Sequence, residues 1–201
     1  MDTAAGELTR ISGTAASTRQ KLDKALLQSI AAGDRLAMQV LFQRHNARVY
    51  RFVLRLVGNA AVAEEILSEV FLNVWQHAGS FQSRCEVTTW LLAIARHKAI
   101  SVLRRHTEAP LSDDMADAVA DHRDDAETVL EREDRRKLIR KCLAQLSPLH
   151  REIIDLVYYH EKSVEEVAQI VGAPKGTVKT RMFHARSHLA KLARTAGIEG
   201  I

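Results

Sequence analysis

The stretch from Ser163 to Leu192 carries residue types whose spacing suits the reading of double-stranded DNA. Ser163 and Glu166 form an S-x-x-E capping box, in which each side chain satisfies the other residue's backbone N–H at a helix start. Gly172 stands where a short helix needs a left-handed residue to end. Pro174 stops that helix from continuing and opens a second one. In the second helix Val178, Met182, Ala185, Leu189 and Leu192 recur at steps of three or four, so they face a core. At about 100° per residue, Lys179, Thr180, Phe183 and Ser187 fall opposite Val178, with His184 on the flank. A lysine donates to guanine O6 and N7, and a threonine bonds base edges or touches a thymine methyl. Lys175, Arg181 and Arg186 are better placed for phosphates, and Thr177 joins the DNA-facing set at the helix start. Short helix, glycine turn and longer basic helix make a helix-turn-helix.

A second constellation runs from Phe81 to Arg105. Phe81 and Trp90 offer stacking surface, and Arg84, Arg96, His97, Lys98, Arg104 and Arg105 offer positive charge. Single-stranded DNA needs both. By residue type alone, Trp90 suits a protein core equally well.

Other chemistry finds little support. His184 and His188 have the i, i+4 spacing of a metal pair but no third ligand, and His160-Glu161 is followed by Lys-Ser-Val rather than by the rest of an HExxH motif. No metal and no cofactor is expected. Neither a GxxxxGK phosphate loop nor a GxSxG elbow occurs. The two cysteines, Cys85 and Cys142, lie far apart, so a disulfide framework is not expected and a reducing cytoplasm fits. Cys85 reads as a quiet thiol. Tyr158 and Tyr159 read as packing residues.

These side chains need helices to hold them. Hydrophobic residues make up 46% of the 201 and aromatics only 5%, a mix that favours helices over strands. Asp34 is placed to cap a helix carrying Leu36, Val40, Leu41, Val49, Phe52, Val53 and Leu56, ended by Gly58-Asn59. The next helix has the stripe Val62, Ile66, Val70, Val74, flanked by Leu67, Phe71 and Trp75, and is broken at Gly79-Ser80. Thr88 or Thr89 is placed to cap a third helix, with Trp90, Leu91, Ile94 and Ile100 on one side. Ser147 caps a later helix with Pro148 at its first position, carrying Ile153, Ile154, Leu156 and Val157. A charged helix from Glu127 to Leu146 precedes it. No stretch approaches the length needed to span a bilayer, and residues 1–20 read as a polar leader without a signal core.

Charge is segregated along the chain. Residues 21–106 carry twelve Lys/Arg against six Asp/Glu, residues 107–134 two against eleven, and residues 135–196 thirteen against five. Two basic bodies flank an acidic strip, a pattern that suits two nucleic-acid-facing modules joined by a linker over residues 107–126, although on charge alone solvated helix surfaces are the simpler reading.

The run AEEILSEVFLNVWQHAGSFQSRCEVTTWLLAIARHKAISVLRR resembles region 2 of extracytoplasmic-function (ECF) sigma factors of the sigma-70 family. The run LSPLHREIIDLVYYHEKSVEEVAQIVGAPKGTVKTRMFHARSHLAKL resembles their region 4, and order and spacing agree over roughly residues 23–195. The resemblance implies an all-α protein with two helical domains joined by a flexible acidic linker: region 2 at residues 21–106 and region 4 at residues 127–196. It implies a cytoplasmic transcription initiation factor with no catalytic site and no membrane insertion. Its partners would be core RNA polymerase (β′ clamp and β flap), promoter DNA and an anti-sigma factor. Region 2 would dock through Glu65, Leu67, Glu69, Val70 and Asn73, and would melt and hold the minus-ten strand through Phe81 to Arg105. Region 4 would read the minus-35 element, and the acidic linker would thread toward the RNA exit path. His97 stands where the family often has Asn, and Ser101 where it often has Asp. A helix-turn-helix regulator acting without polymerase would leave Ala63–Arg105 without a task.

Overall fold

The structure, a computed structural model, describes residues 3–108, 138–139 and 141–197, with side chains described from Ser17 to Arg105 and again in the second stretch. The chain divides into two compact units, Met1–Leu111 and Ser112–Ile201. The acidic strip 107–126 lies almost wholly outside the described residues, as does most of the expected charged helix before Leu146.

The first unit is built on four helices, α1 (Thr3–Ala31), α2 (Arg35–Val57), α3 (Ala60–His77) and α4 (Val87–Glu108). Residues 3–20 of the expected polar leader form the first turns of α1. They extend a helix whose later turns are packed, and propagating an existing helix costs far less than starting one. In α1, Leu27 and Ile30 are buried, and so is Asp23. The chain reverses through Gly33, at φ +90°, into α2. There Asp34 accepts from the N–H groups of Leu36 and Ala37 and caps the helix as expected. Gly58 closes α2 in the left-handed region and donates to Leu54 O. Asn59 caps α3 by accepting from Val62 N.

The inward face of α2 is rotated from the expected stripe. Leu36 is 73% and Val40 42% exposed, while Ala37, Leu41, His45, Val49, Phe52 and Val53 are buried. The shift admits a histidine to the core because α1 supplies its partner. His45 Nε2 donates to Asp23 Oδ2 at 3.0 Å, and Arg44 Nε lies 2.9 Å from Asp23 Oδ1. A buried charge is tolerated when paired in this way. In α3 the buried set is Ala63, Ile66, Val70, Phe71 and Val74, close to the expected stripe. The break at Gly79-Ser80 is a 3₁₀ turn, Ala78–Ser80, that prolongs α3. The fourth helix starts at Val87, ahead of Thr88 and Thr89; Thr88 Oγ1 donates to Glu86 Oε2, and Thr89 is buried. Leu91, Leu92, Ala95 and Ala99 face the core, and Ile100 does not. α2 is the hub, packing on α1, α3 and α4.

In the second unit, helical residues 141–144 lead to Ser147, whose Oγ accepts from His150 N. Helix α5 (Pro148–Ile154) follows, with Pro148 at its start, and runs into a π-helical turn, Asp155–Tyr159. Arg151 satisfies the carbonyls that end the preceding turn, donating to Leu143 O, Ala144 O and Leu146 O. Helices α6 (Val164–Val171) and α7 (Lys175–Thr195) complete the unit. Ile154, Leu146 and Ala185 form one apolar cluster and Cys142 with Ala193 another, bridged by Leu189 and Leu192. Tyr158 and Tyr159 are about half exposed, so they are not packing residues. The π turn places them outward; Arg186 instead sits over the Tyr158 ring at 5.5 Å.

Candidate nucleic-acid and polymerase interfaces

The α6–α7 pair has the expected geometry. Glu166 N donates to Ser163 Oγ and Ser163 N donates to Glu166 Oε2, so the capping box is closed in both directions. The other carboxylate oxygen of Glu166 takes the buried Lys162 ammonium at 2.6 Å. One side chain thus both starts α6 and neutralises a cation taken out of water. Gly172 ends α6 at φ +64°. With Val178, Ala185 and Ala193 buried, α7 turns Lys179, Thr180, Phe183, His184 and Ser187 to solvent. Phe183 is 69% exposed, and its ring meets that of His184 edge-on at 5.5 Å between centroids. Thr180 Oγ1 donates to Gly176 O, which commits its hydroxyl proton within the helix. Thr177 and Arg181 are half-buried at the edges of the face. Lys175 is exposed and bridges to Glu165 at 2.9 Å. The Lys175 ammonium beside Glu165 holds that carboxyl below the usual carboxylate range.

In the first unit, Phe81 and Trp90 meet at 5.2 Å between ring centroids, tilted at 49°, and both are half-buried. The structure thereby joins a loop residue and a helix residue into one aromatic ledge. Arg84, His97, Arg104 and Arg105 are exposed; Arg96 and Lys98 are half-buried. Arg105 Nε donates to Ser101 O. Lys98 Nζ lies 2.8 Å from Glu69 Oε2, so two residues expected to serve different partners hold each other.

On α3, Glu65 is exposed and Leu67, Glu69 and Asn73 are half-buried. The Asn73 carbonyl accepts from His77 Nδ1. Val70 has 0% exposure and is corrected from contact residue to core residue. The apolar side chain that α3 does present is Leu72, 55% exposed, which periodicity passed over because it lies off the inward stripe.

Residues 41–108 match the family model for Sigma-70 region 2, and residues 136–189 match that for Sigma-70, region 4. The ECF RNA polymerase sigma factor SigL of Mycobacterium tuberculosis (strain ATCC 25618 / H37Rv) is 32% identical over 178 residues, covering 87% of this chain and 98% of SigL. The chain is an ECF sigma factor of the sigma-70 family. The ECF RNA polymerase sigma factor SigK of Mycobacterium sp. (strain KMS) is 31% identical over 163 residues, 78% of this chain and 83% of SigK. At the level of fold, this sigma factor is similar to CnrH, solved with the cytosolic domain of CnrY, at a TM-score of 0.63 and 20% identity over 87% of this chain and 98% of CnrH. It is also similar to the sigma factor RpoE, solved with the anti-sigma factor NepR from Bartonella quintana, at 0.62 and 22% over 78% of this chain and 96% of RpoE. No helix among the described residues of the sigma factor is long and apolar enough to cross a membrane.

Proposed function

We propose that this sigma factor binds core RNA polymerase in the cytoplasm and directs it to promoters, dividing the work between its two units and performing no catalysis itself. The observation that carries the reading is the pairing, in one chain, of an outward polar helix-turn-helix face with an aromatic and basic ledge. The first suits an intact double helix, and the second suits a strand drawn out of one. We assign region 2 to residues 21–106 and region 4 to residues 127–196. Lys179, Thr180, Phe183, His184 and Ser187 read base edges of the minus-35 element, while Lys175, Thr177 and Arg181 engage its backbone. Phe81, Trp90, Arg84, Arg96, His97, Lys98, Arg104 and Arg105 hold the opened minus-ten strand. The outer face of α3, with Glu65, Leu67, Glu69, Asn73 and Leu72, meets the β′ clamp, and region 4 meets the β flap. An anti-sigma factor holds the free protein inactive, a reading supported by family membership and by the complexes in which CnrH and RpoE were solved.

The test is transcription in vitro with sigma-free core polymerase and a library of promoters from the source genome. Start-site-specific transcripts that depend on the added protein are expected. Their absence on every template would overturn the reading, and tight promoter footprints by the protein alone would favour a polymerase-independent regulator.

A further inference from the structure

The Lys98–Glu69 ion pair joins the two working faces of the first unit. Glu69 belongs to α3, where Glu64 and Glu65 are also outward and give the helix an acidic face suited to a cationic partner. Lys98 belongs to α4, among the residues assigned to the opened strand. Their charged atoms are 2.8 Å apart, and the side chains are 43% and 25% exposed respectively. A lysine held this closely by a carboxylate presents little net field to a phosphate. Glu69 is accessible enough for a cation on a partner to compete for it without any unfolding. Ion pairs of this exposure are weak, so such competition is readily won.

We propose that Glu69 sequesters Lys98 in the free sigma factor and that docking of α3 on polymerase transfers Glu69 to a cationic group there, releasing Lys98 to the phosphate backbone of the opened strand. The inference rests on the assignments of α3 to polymerase and α4 to the strand. It makes polymerase binding and strand binding mutually supportive, each strengthening the other by the same factor, as linkage requires. From the weakness of exposed pairs, that factor is about two- to fivefold. The free protein, lacking that release, is kept from engaging single strands indiscriminately.

The experiment measures fluorescence anisotropy of a short, labelled, random-sequence single-stranded DNA with the full-length chain, alone and saturated with core polymerase. Glu69→Gln should raise the affinity of the free chain about two- to fivefold, the more so at low salt. The same substitution in a Lys98→Gln background should change nothing, and Lys98→Gln alone should weaken strand binding by the holoenzyme. Glu69→Asp, one methylene shorter, should move the free chain in the same direction by less. Thermal unfolding within a few degrees of the unmodified chain establishes that each variant folds. Unchanged or lowered free-chain affinity in both folded Glu69 variants overturns the proposal. Start-site-specific transcription by the unmodified holoenzyme would persist in that case, so failure of the lock is distinct from failure of the functional assignment.

Discussion

Among the outward side chains of α7, Lys179 combines an exposed position with a donor type suited to guanine O6 and N7. Lys179→Ala is expected to relax preference at one upstream base pair by about 1–3 kcal/mol, read by competition among single-substituted promoters. Equal loss on every promoter would make Lys179 a phosphate contact instead. Trp90 is half-buried against Phe81, which allows one face of the indole to pack while an edge stays open. Trp90→Ala is expected to reduce open complexes about tenfold, measured as permanganate-reactive thymines, in line with the stacking energy of one base. A chain that folds and opens promoters normally would remove Trp90 from the strand-holding set. The outward position of Lys179 was legible from helical phase, whereas residue type alone left Trp90 open between core and strand contact. Val70 was misassigned for another reason: resemblance points to a helix, but only three-dimensional packing says which side of it touches a partner.

The turn between α5 and α6 concentrates buried polar groups: Glu152, Asp155, His160 and Lys162. Glu166 anchors this region by serving both Ser163 and Lys162. Ser163→Ala removes one cap and is expected to cost about 1 kcal/mol of unfolding free energy. Glu166→Gln can keep an amide oxygen on the Ser163 N–H but removes the carboxylate that meets the buried Lys162 ammonium, so it should cost more, about 2 kcal/mol, by urea denaturation. No measurable cost for Glu166→Gln would mean that the ion pair contributes nothing. The S-x-x-E motif, Asp34, Asn59, Gly58, Ser147 and Gly172 all announced their helix ends, because capping is a local interaction between residues two to five apart. The rotated face of α2 was hidden, since His45 is buried only by virtue of Asp23, twenty-two residues earlier on another helix. Arg151 is equally silent in sequence: its three carbonyl partners come from a turn that exists only once the unit has folded.

At the scale of the whole chain, charge segregation was visible from composition: two basic bodies flank residues 107–134, which are strongly negative, although charge alone does not separate a nucleic-acid face from a solvated helix surface. From the resemblance to ECF sigma factors we expect that negative stretch on the route toward emerging RNA, and charge reversal tests the expectation. Reversing Asp113, Asp114 and Asp117 to lysine is expected to lower productive initiation while leaving promoter binding intact, measured as full-length transcript per open complex. Unchanged initiation would count against any role for the negative charge there.

The π-helical turn Asp155–Tyr159, closed by His160 N donating to Asp155 O, holds one residue more than an ordinary α-helical turn would. A deletion of a single codon in this stretch would therefore heal the helix rather than shatter it. The helix ends at Tyr159, and His160 to Ser163 form a non-helical connection before Val164, so that connection would absorb the missing residue. The side chains that a deletion there would displace first are those of Tyr158 and Tyr159, which this turn presents to solvent.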